Sequence, residues 1–135
     1  MKRCAVVLTA ALSLTLLAGC GDSPDRQALA RQTVQKYWYN IGHGKLSAAY
    51  YMMTSGNRAE RPLSDYRQDM FLFLTKMGNV VARTGKPSVD EEKASVPVTL
   101  TSPKTTEKLK AYQHLFWEDG HWRISDPLGG LSQVK

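Results

Sequence analysis

The 135-residue sequence predicts an α+β domain in which three N-terminal helices pack on a curved antiparallel sheet of about four strands. Three observations carry that expectation. Apolar residues recur with helical spacing as far as Gly78 and alternate beyond it. Asp119-Gly120 sits between two alternating runs, which is a strong hairpin signal. Between Thr105 and Glu118 nothing interrupts the alternation, so this strand would exceed the usual length of roughly 3 to 10 residues. Such a strand must bend or carry a bulge to wrap a small core.

The first helix opens at Ser23-Pro24-Asp25, with serine as N-cap, proline at the first helical position and an acid in the first turn. Ala30, Val34, Tyr37, Trp38 and Ile41 form one apolar stripe, which Gly42 and Gly44 end. Leu46, Ala49, Tyr50 and Met53 give a second, shorter stripe. Thr54 to Pro62 reads as a polar loop. Ser64 is then the candidate cap of a third helix with the stripe Tyr66, Met70, Phe73, Leu74 and Met77, stopped at Gly78.

Val80 to Lys86 is the first predicted strand, and Gly85-Lys86-Pro87-Ser88 a turn or bend. Ala94, Val96, Val98 and Leu100 alternate with polar neighbours, as in a half-buried strand. Pro97 has no N–H for a ladder, which points to an edge or a bulge there. Thr101 to Lys104 turns the chain. A two-residue turn at Asp119-Gly120 sets Glu118 opposite His121, Trp117 opposite Trp122, Phe116 opposite Arg123 and Leu115 opposite Ile124. Period two then puts Leu109, Ala111, Gln113, Leu115, Trp117, Trp122 and Ile124 on the core face. Lys110, Tyr112, His114, Phe116, Glu118, His121 and Arg123 take the other face.

The start of the chain has its own logic. Lys2 and Arg3 precede a largely apolar run, Ala5 to Leu17, which is shorter than the roughly 20 residues a spanning helix needs. Leu17-Ala18-Gly19-Cys20 follows, and this resembles the lipobox of secreted bacterial lipoproteins. The resemblance implies a cleaved signal at residues 1–19, lipid on the Cys20 thiol, and a short tether over residues 20–23. The tether leads to a domain at 24–126 and a tail at 127–135. It further implies a bacterial cell envelope location, with the membrane as a partner through the lipid. Gly21 after the cysteine resembles the signal for the periplasmic side of the outer membrane where the source has two membranes.

Loss of Lys2 and Arg3 takes the formal charge from +6 to +4. The remaining basic residues are scattered without a run, so nucleic acid is not expected as a partner. Cys4 leaves with the signal and Cys20 carries lipid. The domain is therefore expected to have no disulfide, no thiolate zinc site and no catalytic cysteine.

Two stretches resemble the nuclear transport factor 2-like superfamily, an α+β cone. One runs Tyr37-Trp38-Tyr39-Asn40-Ile41, Gly44-Lys45-Leu46, Ala48-Ala49-Tyr50 and Met52-Met53-Thr54. The other is the closing hairpin from Leu115 to Ile124. The resemblance implies helices packed inside a curved sheet. In enzymes of this superfamily an Asp or His inside the cone acts as general base. The expected core face offers Gln113 but no acid or histidine, and the helical stripes offer none either. Tyr37, Tyr50 and Tyr66 are hydrogen-bond donors without a base. Asp65 and Asp69 lie off the stripe of their helix, towards solvent. His43, His114 and His121 lack ligand-like spacing. No catalytic residue, metal or cofactor is expected.

What remains is binding. Tyr37, Trp38, Tyr50, Met53, Met70, Phe73, Trp117 and Trp122 are either plain core or the lining of a pocket for a small apolar ligand. Tyr112, His114, Phe116 and Arg123 form a candidate partner face for an envelope protein or a second copy. The alternative there is Arg123 stacked over Phe116 on a solvated sheet. The expected function is a non-catalytic, membrane-anchored binding or assembly module on the periplasmic side; the alternative is a carrier or enzyme that binds a small apolar ligand in the cone interior.

Overall fold

A computed structural model describes residues 25–128, the side chain of Glu107 excepted. The signal, Cys20 with its tether, the Ser23-Pro24 cap and residues 129–135 lie outside the described residues. Four helices come first: α1 over residues 25–42, α2 (Leu46–Tyr50), α3 (Ser55–Glu60) and α4 (Leu63–Met77). Five strands follow: β1 (Val81–Thr84), β2 (Ser88–Asp90), β3 (Lys93–Ser102), β4 (Thr105–Glu118) and β5 (His121–Ile124). All pair antiparallel in the order β1-β3-β4-β5, with β2 also on β3. Among the described residues no helix is long and apolar enough to cross a membrane.

All five stripe residues of α1 are buried. Its last turn includes Gly42, and the chain reverses at Gly44, whose φ of 73° suits a residue without a Cβ. The stripe expected for α2 breaks at Tyr50. Met53 lies beyond the helix and forms an isolated bridge with Ile124. This places Thr54 N–H on the Ile124 carbonyl at 2.9 Å and Ile124 N–H on the Met52 carbonyl at 2.9 Å, covering part of the free edge of β5.

The loop expected over Thr54 to Pro62 contains α3. Thr54 Oγ1 accepts from Asn57 N–H at 3.2 Å as a side-chain cap. No residue of α3 is buried, so it has no apolar stripe for periodicity to detect. Ser64 is not the cap of α4. The helix begins two residues earlier, after Pro62, whose carbonyl accepts from Asp65 and Tyr66 N–H. On α4 Tyr66, Met70 and Met77 are buried and Phe73 and Leu74 partly so. Gly78 ends the helix with φ 79°.

Two expectations about the sheet change. Ser88 does not close a turn, because it opens β2 and makes five strands rather than about four. Pro97 is not on an edge strand, since β3 is central. The neighbouring strand breaks there instead. Between β1 and β2 the ladder lapses, and Gly85 N–H reaches the Pro97 carbonyl at 2.8 Å. A Cβ on Gly85 would come within 3.1 Å of the Pro97 ring, so the kink closes on the proline. The sheet also shifts register between Leu100 and Ser102, the irregularity the long β4 demanded.

The hairpin has the register read from sequence: Glu118↔His121, Trp117↔Trp122, Phe116↔Arg123 and Leu115↔Ile124. Asp119 and Gly120 have φ of 49° and 80°, as a type I′ turn requires. Along β3, Ala94, Val96, Val98 and Leu100 are all buried against the helices.

Candidate functional site

The cone interior is closed. Trp38, Tyr37, Tyr66, Met53, Met70 and Gln113 are each below 2% exposed. Helix α1 carries Tyr37 and Trp38 side by side on its stripe, edge to face with ring centroids 5.4 Å apart. Gln113 enters from the middle of β4. Trp38 Nε1–H donates to Gln113 Oε1 at 3.0 Å, and Gln113 Nε2 donates onward to the Asp126 carbonyl. Tyr66 Oη donates to Tyr37 Oη at 3.0 Å, and Tyr37 Oη to the Pro127 carbonyl at 2.7 Å. The chain after β5 therefore ties back over the cone mouth, and Leu128 packs against the core. Among the described residues no buried side-chain nitrogen or oxygen lacks a partner.

These hydrogen bonds occupy the polar groups of the interior. A recess of about 120 Å³ remains at the mouth between Arg61, Tyr66, Asp69, Met70, Asp126, Pro127 and Leu128. Pockets for small molecules usually measure about 300 Å³ or more. Asp69 is not simply solvated there, because Arg61 Nε donates to its carboxylate at 2.7 Å. The two phenols are held in the protonated form. Burial pushes Tyr37 well above the ordinary phenol range, and neighbouring Tyr66 and Asp126 add to the shift. Burial also raises Tyr66, although its hydrogen bond to Tyr37 pulls the other way. Neither phenol is poised as a base near neutral pH. Tyr50 is tied up as well, its hydroxyl donating to the Arg58 and Arg61 carbonyls at 3.0 and 2.7 Å. Among the described residues no group of His, Cys, Asp and Glu gathers as metal ligands would.

Phe73 and Trp117 are only partly buried. Trp122 is 3% exposed and lies edge-on to Trp117 at 5.0 Å. Arg26 joins this pair. Its guanidinium sits 3.9 Å from the Trp117 ring centroid, and its carbonyl accepts from Trp122 Nε1 at 3.0 Å. Sequence reasoning missed Arg26: it stands one turn before Ala30 on the stripe side of α1, but its charge hides it from a search for apolar periodicity. A groove of about 320 Å³ runs beside the pair, between Leu29, Thr33 and Lys36 of α1 and His121 and Arg123 of β5.

The outer sheet face is where Tyr112, His114 and Phe116 lie exposed, Tyr112 at 62% and Phe116 at 41%. Val81 of β1 and Pro97 of β3 extend the same face. The cation beside Phe116 is a lysine and not the Arg123 of the alternative reading. Lys93 Nζ, on the strand paired with β4, lies 5.8 Å from the Phe116 ring centroid. Arg123 turns to the helical corner, where Nη1 donates to the Tyr51 carbonyl at 3.4 Å.

The helices inside a curved antiparallel sheet give the chain an α+β cone, the fold called nuclear transport factor 2-like (NTF2-like). Solved structures of that fold superimpose on the chain. A Campylobacter jejuni protein described as an NTF2-like transpeptidase does so with a TM-score of 0.54 at 10% identity, covering 78% of this chain and 99% of its own. A Novosphingobium aromaticivorans protein described as a scytalone dehydratase gives 0.49 at 12% identity, covering 74% and 79%. No family model and no curated protein matches the chain. At such identities the likeness shows the fold alone, and the same fold hosts unrelated functions.

Proposed function

We propose that this chain is a non-catalytic, lipid-anchored envelope module that binds a protein partner through the outer face of its sheet. The observation that carries the reading is the contrast between the two faces of β4. Its inner residue Gln113 is locked to Trp38 and the Asp126 carbonyl, while Tyr112 and Phe116 beside it stand open to solvent. Aromatic side chains exposed on a rigid sheet are suited to interfaces, since they bury a large area at little cost in rotamer entropy. The anchor in this proposal is Cys20 in the Leu17-Ala18-Gly19-Cys20 box.

The competing reading is an apolar ligand, or a reaction, in the cone interior. It requires the Tyr37, Tyr66 and Gln113 hydrogen bonds to open. Phe116→Glu separates the two. A charge at the centre of an apolar contact is costly to desolvate, so the substitution should abolish partner capture or self-association while the melt is unchanged. Met53→Ala alters the buried interior and should leave capture intact in the folded protein. Capture that ignores Phe116→Glu yet is lost in folded Met53→Ala protein would remove the proposal.

A further inference from the structure

We infer that the outer sheet face is built for an acidic protein segment, with Arg83 and Lys110 as its charged anchors beside Tyr112. This rests on the reading of that face as the contact surface and adds the chemistry of the partner. Register assembles the patch from three strands. Thr99 of β3 pairs with Arg83 on one side and Lys110 on the other. Directly paired residues project to the same face, with Cβ atoms about 5 Å apart. Two exposed cations therefore flank one small side chain, about 10 Å from each other. The next outward row is Pro97 and Tyr112, and the rows beyond hold His114 and then Lys93 beside Phe116.

Among the described side chains of this face the carboxylates are at its other end, and both have neighbours of their own. Asp90 pairs in register with Lys93. Glu118 accepts from Ser55 N–H at 3.2 Å and from Ser55 Oγ at 3.5 Å. Among the described residues the ion pair is Arg61 with Asp69, on another side of the molecule. The aromatic middle of the face thus continues into a cationic end. From Lys110 to Phe116 along β4 the patch spans about 20 Å.

Charge selects among occupants. A two-fold contact with its axis along the strands would bring like cations together, and one with its axis across them would set the cations against Asp90 and Glu118, which already have Lys93 and Ser55 beside them, so a second copy offers the cations no unengaged acid. An anionic lipid surface is opposed by charge at the end from which the tether leaves. The start of α1 carries Asp25 and lies beside a recess lined by Asp90, Glu91 and Glu92 with Lys93, and the Arg26 guanidinium there already donates to the Glu91 carbonyl. A protein segment bearing Asp or Glu beside apolar side chains matches both halves of the patch.

The test uses the full chain in a nonionic detergent, with fluorescently labelled poly-L-glutamate as probe and anisotropy as readout. Binding is expected, weakening at least about fivefold between roughly 50 and 300 mM NaCl as screening shortens the reach of the charges. Arg83→Glu with Lys110→Glu should weaken it about tenfold or more. Arg31→Glu with Lys36→Glu, the same charge change at exposed positions of α1, should alter it less than about twofold. Circular dichroism melts confirm that both pairs fold. No binding, or equal losses in both pairs, overturns the inference. So does loss of polyglutamate binding when phosphatidylglycerol is added to the micelle, since the face would then belong to lipid. A dimer in sedimentation that Arg83→Glu with Lys110→Glu leaves intact, and that Phe116→Glu dissociates, overturns it in favour of a second copy. If polyglutamate fails while Phe116→Glu still abolishes partner capture, the charge assignment falls and the contact surface stands.

Discussion

Trp122→Ala probes the joint between α1 and the closing hairpin. Trp122 is 3% exposed, edge-on to Trp117 at 5.0 Å, and hydrogen-bonded through Nε1 to the Arg26 carbonyl at 3.0 Å. Truncating a buried tryptophan costs about 3 to 5 kcal/mol. Within that, the edge-to-face pair accounts for about 0.5 to 1.5 kcal/mol and the indole hydrogen bond for about 1 kcal/mol. Trp117 and Arg26 are only half-buried and can collapse into part of the space, which places the expected loss near the lower figure, about 3 kcal/mol. In a domain whose total stability is about 5 to 15 kcal/mol, this is a large fraction. Urea melts at constant slope measure it. Trp122→Phe keeps most of the ring and removes the N–H, so it should lose only about 1 to 2 kcal/mol. A loss below about 1 kcal/mol for Trp122→Ala at unchanged slope would refute the packing described here, because an interior tryptophan cannot be so cheap to remove.

Gln113→Leu should destabilise by about 1 to 3 kcal/mol, because Trp38 Nε1–H is left unpaired in a sealed interior. Adding Trp38→Phe should recover part of that loss, and strictly additive melts would contradict the pairing. Stability should fall as pH rises above about 10, where the unfolded chain releases tyrosine protons that Tyr37 and Tyr66 retain when folded. Below that pH both states hold these protons, and the two groups add no slope; Tyr66→Phe should flatten the alkaline decline, and an unchanged decline would count against the shared phenol site. Cys20→Ser should abolish incorporation of labelled fatty acid, and equal label on both proteins would end the anchoring proposal.

Much of the fold was legible where one physical signal dominated. The α1 stripe, the inward side of β3 and the hairpin register follow from periodicity and from one turn that demands positive φ at Asp119 and Gly120. The signal failed where burial did not drive the element. Helix α3 buries nothing and is held by the Thr54 cap, so it looked like a loop. Strand β2 is a three-residue return to the ladder after a kink, too short for alternation to register. Of the two readings of Pro97, the edge fails and the bulge holds: three residues, 85–87, stand opposite two, Val96 and Pro97, between the ladders of β1 and β2. The interruption belongs to the neighbour, at Gly85. Of the candidate site, the outward set on β4 could be read from period two, but its cationic extension could not. Arg83 and Lys110 meet around Thr99 only through the pairing of three strands. The closure of the interior was equally hidden, since it depends on the Asp126 and Pro127 carbonyls returning over the mouth.

The central claim is that contact is made on the outer sheet face and not inside the cone. Site-specific photocrosslinking in the native cell tests it most directly. A photoreactive residue replaces Tyr112 on the outer face, Gln32 in the groove beside α1, or Ala48 on the exposed side of α2. The account predicts a discrete protein adduct from position 112 that disappears with Phe116→Glu, and none from position 48. Adducts from position 32 with none from position 112 would contradict it, and would move the contact to the groove between α1 and the hairpin.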